Sequence, residues 1–369
     1  MNPLIAKPSR DLIQRMPKVL LHEHLDGGLR PQTVIELAAE CGYDQLPRSE
    51  PEALAQWFFE GADRKSLPLY LEGFRHTIAL MQTKEALERI AFEFIEDMAE
   101  DKVVYAEVRF APLFHTAGGL GLDAVMVAVL EGLERGRRKF GVDYGLIVCA
   151  MRNEDPELSI RLVELAIAYR EQGCVGFDLA GEEAGHPAKE HVRAFQLAKR
   201  KNFAITIHAG ESFGPESIWQ ALQYCGAHRI GHGTRLIEDI VIYDNRVIKI
   251  GDLAQYVLDH RVPLELCLSS NVHTGATPSL EEHPFPVFFE HKFRVTLNTD
   301  NRLMSGTTMT DEYAIAVETF GCSMDDLERI TINGMKSGFV HYDQRCRIIY
   351  DRIKKGYDAL RAELQAEAG

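Results

Sequence analysis

The sequence lacks paired cysteines, long apolar runs and an excess of positive charge. Its seven cysteines are scattered without a CxxC pair, which argues against a disulfide framework or a cysteine-ligated zinc site and fits a reducing cytoplasm. No apolar run reaches the ~18 residues that span a bilayer, and residues 1–16 show no apolar core or small-residue cleavage site. We therefore expect a cytoplasmic protein without a membrane span or secretory signal.

Composition and charge describe a globular protein rather than a nucleic-acid binder. Of the 369 residues, 46% are hydrophobic and 26% are charged, which is ordinary for a folded domain and far from a disordered one. The net charge of −14 repels polyphosphate, so we expect a small-molecule partner and no nucleic acid. The length fits one decorated barrel, and we expect a single domain over residues 1–369.

Short apolar runs rich in Val, Ile and Leu alternate with amphipathic stretches of helical period. In residues 83–101, for example, Thr83 is a candidate cap and apolar residues recur every four positions, at Ala86, Ile90, Phe94 and Met98. The eight runs cover residues 19–26, 103–110, 144–151, 175–181, 204–211, 229–233, 263–271 and 294–301. Most begin apolar, as strands buried on both faces should. Eight such units predict an α/β fold, a parallel (β/α)₈ TIM barrel.

The connection after the first run is much longer than the others and predicts a helical insertion at one end of the barrel. Its segment SLPLYLEGF places four apolar side chains on one helical face, at Leu67, Tyr70, Leu71 and Phe74. This stripe predicts either core packing or a lid over the site. Residues 235–252 form a second insertion that we cannot assign. From Tyr342 onward, the sequence predicts an extra C-terminal helix with a charged surface.

Residues that bind metals or transfer protons occur where several predicted strands end. They stand at the ends of the first, fifth, sixth and eighth runs, at His22, His24, His208, Glu211, His232 and Asp300. Because strand side chains alternate, His22 and His24 share one face. Three neutral imidazoles and one carboxylate suit Zn²⁺, with Fe²⁺ or Co²⁺ as substitutes. Two-metal barrel hydrolases use a modified lysine on strand four, and VGFDLAGEE has none, so we expect one ion per chain.

Five short motifs, in this order and at these strand ends, resemble those of the adenosine deaminase family. The motifs are HEHLDG (22–27), DLAGEE (178–183), TIHAGE (206–211), RIGHG (229–233) and LNTDN (297–301). The resemblance covers roughly residues 17 to 335, with AEVRFAP (106–112), GPESIWQAL (214–222) and SSN (269–271) inside it. It implies a zinc-dependent hydrolase of purine metabolism that converts adenosine, and 2′-deoxyadenosine, to the 6-oxo nucleoside and ammonia.

The resemblance also implies a role for each site residue. The zinc ligands would be His22, His24, His208 and Asp300. Glu211 would protonate purine N1, His232 would lie beside the attacking water, and either His232 or Asp300 would accept the proton of that water. Asp26 would bind the ribose 5′-hydroxyl and the Gly181 amide would face the base. We expect further substrate contacts from His24, Asn301, Leu67, Phe74 and Met151.

One departure from the family pattern is Asp300-Asn301, where many adenosine deaminases have paired aspartates. In those relatives the second position would face purine N7, which accepts hydrogen bonds, so an aspartate there must be protonated to donate. The amide of Asn301 donates at any pH. The resemblance therefore keeps Asn301 as a contact to the base.

Two alternatives stay open at this point. The first is a deaminase of a related aminopurine, namely adenine, an N6-substituted adenosine or aminodeoxyfutalosine. Adenine deaminases tend to have Glu where Asp26 stands, so HLDG favours a substrate that carries ribose. The second is a barrel that binds a nucleoside without catalysis, which the complete set of ligand and acid–base residues disfavours. The sequence predicts no oligomeric state.

Overall fold

The computed structural model describes residues 7–368, so the first six residues of the predicted signal-free N-terminus lie outside it. Eight parallel strands form one sheet in which neighbours along the chain are neighbours in space. They are β1 Lys18–Leu20, β2 Val103–Phe110, β3 Asp143–Met151, β4 Cys174–Ala180, β5 Ala204–Ala209, β6 Arg229–His232, β7 Pro263–Leu266 and β8 Arg294–Leu297. Each lies in a predicted run or overlaps one. Every residue of β2 is buried, as its apolar sequence requires.

The sheet is joined end to end just beyond the last strand. Glu23 and Asp300 form a parallel bridge between the segments that follow β1 and β8. The Asp300 amide donates to the His22 carbonyl (2.9 Å), and the His24 amide donates to the Asp300 carbonyl (2.8 Å). The predicted (β/α)₈ barrel is therefore confirmed, and the joint itself brings three of the predicted ligands together.

Helices surround the barrel and follow the amphipathic stretches. The predicted cap is confirmed, because the Thr83 side chain accepts from the Ala86 amide at the start of a helix with a buried apolar face. The α-helices are Arg10–Arg15, Pro31–Cys41, Pro51–Ala62, Leu67–Tyr70, Phe74–Leu80, Lys84–Glu100, Leu122–Phe140, Pro156–Ala168, Val192–Arg200, Pro215–Gln223, Asp252–Asp259, Leu268–His273, Phe285–Glu290, Arg302–Ser305, Met309–Phe320, Met324–Ser337, Tyr342–Ile348 and Lys355–Ala368. A π-helical segment, Ile349–Lys354, joins the last two.

The insertion after β1 is helical, as predicted. Four helices between Pro31 and Leu80 precede the long helix Lys84–Glu100 that leads into β2. Tyr70 is only 2% exposed and belongs to the hydrophobic core, so the apolar stripe does pack inward. The same segment also lines the cavity described below, so core packing and a lid over the site are both present in this stripe.

Two local expectations need correction, and the unassigned segment can now be described. In the first predicted run, the strand ends at Leu20. In the seventh, the strand is followed by the helix Leu268–His273. In both places the polypeptide turns at the mouth of the barrel. The unassigned residues 235–252 contain an antiparallel hairpin, Ile240–Tyr243 with Arg246–Ile250. The C-terminal helices are not wholly on the surface, since Ile353 and Tyr357 are fully buried. Within residues 7–368, no helix has both the length and the apolar character needed to cross a membrane.

Candidate metal centre and substrate cavity

The candidate metal centre lies at the mouth of the barrel, where β1, β5 and β8 end. One nitrogen or oxygen atom from each of four residues falls within 4.8 Å of the others, those of His22, His24, His208 and Asp300. The residues come from segments far apart in the chain, and the parallel barrel brings their ends to one face. The structure therefore assembles all four ligands that the resemblance implies.

The donor atoms of this cluster suit a divalent cation. His24 Nε2 lies 3.1 Å from His208 Nε2, and Asp300 Oδ1 lies 3.3 Å from His22 Nε2. His22 Nε2 is buried without a hydrogen bond to any of residues 7–368. Burial lowers the pKa of both His24 and His208, which favours neutral imidazoles with lone pairs to share. His22 differs, because the carboxylates of Asp300 and Glu265 raise its pKa although burial opposes this. Three imidazole nitrogens and a carboxylate form a donor set that Zn²⁺ prefers.

A fully buried ion-pair network orients two of the imidazoles. The guanidinium of Arg109 donates to Asp178 and to Glu265, both at 2.8 Å. His22 Nδ1 lies 2.8 Å from Glu265, and His208 Nδ1 lies 3.0 Å from Asp178. A carboxylate at Nδ1 holds the proton there, so that Nε2 turns its lone pair to the cluster. Although burial opposes it, His208 and Arg109 hold the pKa of Asp178 well below its usual range.

The network continues down the axis of the barrel. Arg229 Nε donates to Glu265 at 2.6 Å, and its Nη2 lies 2.6 Å from Glu107. Glu107 also accepts from the Tyr105 hydroxyl at 2.7 Å. The sequence analysis missed these residues. Their signal was available, because charged residues inside strands buried on both faces must be paired.

Glu211 and His232 face the same cluster. Glu211 is 3% exposed, its Oε1 has no hydrogen-bond partner among the described residues, and its Oε2 lies 3.7 Å from His232 Nε2. Burial, and then the charges of Asp300 and Glu183, raise the pKa of Glu211 well above its usual range. His232 and Asp300 both adopt left-handed backbone conformations, with φ of 61° and 62°. Such conformations are costly for residues other than glycine and cluster at functional sites.

A chain of hydrogen bonds fixes which nitrogen of His232 carries its proton. The Phe285 amide donates to His283 Nδ1 (3.0 Å), so the proton of His283 sits on Nε2, which faces Asn271 Oδ1 at 3.2 Å. The Cys267 amide donates to that same oxygen (3.2 Å). The Asn271 NH₂ group must then donate to His232 Nδ1, 3.0 Å away. Burial lowers the pKa of His232, so its ring is neutral with the proton on Nε2.

A cavity of about 460 Å³ opens above the cluster. This volume is typical of a small-molecule site. It is lined by every residue that the sequence analysis predicted to contact substrate, namely His24, Asp26, Leu67, Phe74, Met151, Gly181 and Asn301. Glu211, His232, His208 and Asp300 form its polar end. His22 lies beneath the cavity rather than in its wall.

Three of the lining residues have unpartnered polar atoms or an unusual backbone conformation. Asp26 Oδ1 and Asn301 Oδ1 are buried without a hydrogen-bond partner in residues 7–368. Burial raises the pKa of Asp26 to about 7. Gly181 has a φ of +95°, and a Cβ there would lie 2.9 Å from the Met151 methyl carbon. Glycine is therefore favoured at this position, because it adopts the left-handed turn without strain and leaves room for the Met151 side chain.

Comparison with known proteins gives a consistent picture. A family model described as Adenosine deaminase matches residues 17–356. Adenosine deaminase 1 of Streptomyces coelicolor is 51% identical over 361 residues, which cover 96% of this chain and 91% of the relative. The crystal structure of adenine deaminase from Arthrobacter aurescens has a TM-score of 0.83 at 25% identity, covering 92% of this chain and 98% of that one. The N6-methyl-AMP deaminase from Arabidopsis thaliana has a TM-score of 0.79 at 27% identity, covering 96% and 100%.

These matches take in the whole barrel and every candidate ligand. The family model begins one residue before β1 and continues past β8 into the C-terminal helices. A relative with half of its residues identical over nearly the full length shares more than the fold, and the similarity to solved structures adds the same barrel. The chain therefore belongs to the adenosine deaminase family and is a hydrolytic deaminase.

Proposed function

We propose that this deaminase hydrolyses adenosine, and 2′-deoxyadenosine in the same way, to inosine or 2′-deoxyinosine and ammonia in purine salvage, with residues 1–369 as one catalytic domain. The observation that carries the proposal is the buried, unpartnered carboxyl of Glu211, which faces the metal-ligand cluster inside a cavity of nucleoside size. A carboxyl in that position can protonate a ring nitrogen beside the carbon under attack.

Relatives with other substrates share the fold at lower identity. The structures named as an adenine deaminase and an N6-methyl-AMP deaminase are 25% and 27% identical to this chain, whereas the adenosine deaminase of S. coelicolor is 51% identical. Asp26 lines the cavity with a free carboxylate oxygen, which can accept a bond from the 5′-hydroxyl of a nucleoside. A 5′-phosphate would meet the same carboxylate unfavourably. These observations favour the unphosphorylated nucleoside.

The cluster of His22, His24, His208 and Asp300 would hold one Zn²⁺ ion, since imidazole nitrogens and a carboxylate are ligands that this ion prefers. Zn²⁺ held there would supply the acidity that turns water into a nucleophile near neutral pH. The seven cysteines are all free, and six of them lie outside the cluster and the cavity. Free thiols support a cytoplasmic location and leave the ligand set to histidine and aspartate.

Glu211 acts as the acid in this proposal. Its burial favours the protonated carboxyl when substrate arrives, and donation to purine N1 makes C6 electron-poor as water attacks. The ring nitrogen then carries the proton while the tetrahedral adduct forms. The proton that water lost then passes to the 6-amino group, which leaves as ammonia. The hydroxyl group of the adduct returns a proton to Glu211 as the 6-oxo product forms.

His232 and Asp300 divide the remaining work between them. Because Asn271 keeps the proton of His232 on Nε2, that nitrogen donates to the attacking oxygen and cannot take its proton first. Asp300 is then the acceptor for the proton that water loses. Its Oδ2 accepts from the Ser270 hydroxyl at 2.6 Å, which fixes the carboxylate plane. These hydrogen bonds favour Asp300 over His232 as the acceptor of that proton.

Glu211→Gln tests the acid. The amide cannot release a proton to N1, so kcat should fall by at least the ~10²–10⁴ that general acid catalysis contributes. Metal content should stay at one ion per chain, because Glu211 is outside the four-ligand cluster. Ammonia release and metal analysis on the same preparation measure both. A variant that keeps more than about a tenth of wild-type turnover removes Glu211 from the acid role.

Asn271→Asp tests the assignment of proton donor and acceptor. A carboxylate at this position accepts from His232 Nδ1–H and moves the ring proton away from Nε2, so kcat should fall about 10-fold to 10²-fold with metal retained. Nitrogen NMR of histidine-labelled protein, with His232→Gln to identify the signal, reports the tautomer directly. A wild-type ring that carries its proton on Nδ1 would contradict the assignment.

Asp26→Ala tests the preference for nucleosides. Loss of its hydrogen bond to the 5′-hydroxyl should lower kcat/KM for adenosine by the equivalent of ~1–3 kcal/mol in activation free energy. The value of kcat/KM for 5′-deoxyadenosine should stay nearly unchanged. Steady-state kinetics with both substrates on both proteins gives the four values needed. Equal losses for the two substrates would place Asp26 away from the 5′-hydroxyl.

A further inference from the structure

The carboxylate of Glu183 binds a continuous stretch of backbone. Glu183 lies in the loop after β4, is 3% exposed, and accepts from four consecutive amides. The Gly210 amide donates to Oε1 at 2.7 Å. The amides of Glu211, Ser212 and Phe213 donate to Oε2 at 3.0, 2.7 and 2.9 Å. Consecutive amides that converge on one anion form a rigid nest.

The opposite edge of the same backbone is held from β6. The Gly210 carbonyl accepts from the Arg235 amide and from the Thr234 hydroxyl, both at 2.9 Å. The Glu211 carbonyl accepts from Arg235 Nε at 3.2 Å. Residues 210 and 211 are therefore fixed on both edges, by the loop after β4 on one side and the segment after His232 on the other.

The Glu183 loop is itself tied to the metal-ligand strand. The guanidinium of Arg152 donates to the His186 carbonyl at 2.9 Å and also to the His208 carbonyl. The His186 amide donates to the Glu183 carbonyl at 3.3 Å. These bonds tie the loop that carries Glu183 to the strand that carries His208.

This support matters because the Glu211 side chain has little of its own. Its Oε1 has no partner among the described residues, and its Oε2 lies 3.7 Å from His232, beyond hydrogen-bond length. The position of its backbone therefore largely determines where the carboxyl lies. The four donors also precede the helix Pro215–Gln223, so Glu183 is not its N-cap.

We propose that Glu183 is a positioning residue, which holds residues 210–213 so that the Glu211 carboxyl meets the ring nitrogen of the substrate. The proposal rests on the acid role of Glu211 given above. It assigns a function to the last residue of DLAGEE, and it distinguishes Glu183 from Glu182, the exposed neighbour in the same motif. Displacements of about 1 Å in such supports can cost ~10² in rate.

Glu183→Gln replaces one acceptor oxygen by an NH₂ group, which cannot receive a backbone amide. We expect kcat for adenosine to fall about 10²-fold. Metal content should stay at one ion per chain. The inhibition constant of 1-deazaadenosine, which has carbon in place of N1, should stay within about twofold, because this ligand makes no use of Glu211. Glu190→Gln, an exposed glutamate seven residues on, is the matched control and should match wild type.

A double-mutant cycle separates positioning from general loosening. In a Glu211→Gln background, Glu183→Gln should change kcat by no more than about twofold, since the carboxyl that it positions is already gone. A loss of about 10²-fold in both backgrounds, or wild-type kcat for Glu183→Gln alone, would overturn the proposal. High activity of Glu211→Gln itself would instead refute the acid role, so the two failures are distinguishable.

A measurement on the wild-type enzyme covers the case in which Glu183→Gln does not fold. Hydrogen exchange of residues 210–213 should be slow although these residues precede the helix, because each amide is bonded to a buried carboxylate. Glu183→Asp, which retracts both oxygens by one methylene, should speed that exchange locally. Exchange of these wild-type amides at the rate of an unstructured peptide would overturn the proposal.

Discussion

The contact of the Arg109 guanidinium with Asp178 and Glu265 is the interaction on which the metal-ligand cluster depends. Each carboxylate is fully buried and would be costly if left unpaired, at roughly 3–5 kcal/mol for a broken buried pair. With Arg109 in place, both can also accept from an imidazole. The Nδ1 atoms of His22 and His208 contact these carboxylates, so Nε2 is the nitrogen of each ring that can bind a metal.

Directed hydrogen bonds also orient the groups that transfer protons, His232 and Glu211. Backbone amides can only donate, so they determine the donor and the acceptor in each chain of hydrogen bonds that reaches the cavity. The amides of Cys267 and Phe285 decide the tautomer of His232, and the amides of residues 210–213 bind Glu183 beside Glu211. The barrel contributes by bringing these separate segments to one face, so that a site built from many strand ends needs little rearrangement when substrate binds.

Much of the site could be predicted from sequence because parallel strands end together. His22, His24, His208 and Asp300 follow apolar runs, and barrel closure makes such ends converge. Arg109 and Glu265 escaped attention because their pairing crosses from β2 to β7, which spacing along the chain does not reveal. The bonds of Glu183 depend on the path of two loops, and the buried face of the C-terminal helices depends on the surface they cover, so neither follows from local pattern.

Substrate choice is the most direct test of this account. Purified enzyme with one equivalent of Zn²⁺ per chain would be assayed for ammonia release from adenosine, adenine and N6-methyl-AMP under identical conditions. We predict kcat/KM for adenosine at least about 10²-fold above the other two, because only adenosine satisfies Asp26 without adding a phosphate. A preference for adenine or N6-methyl-AMP, or no ammonia from adenosine, would contradict the account.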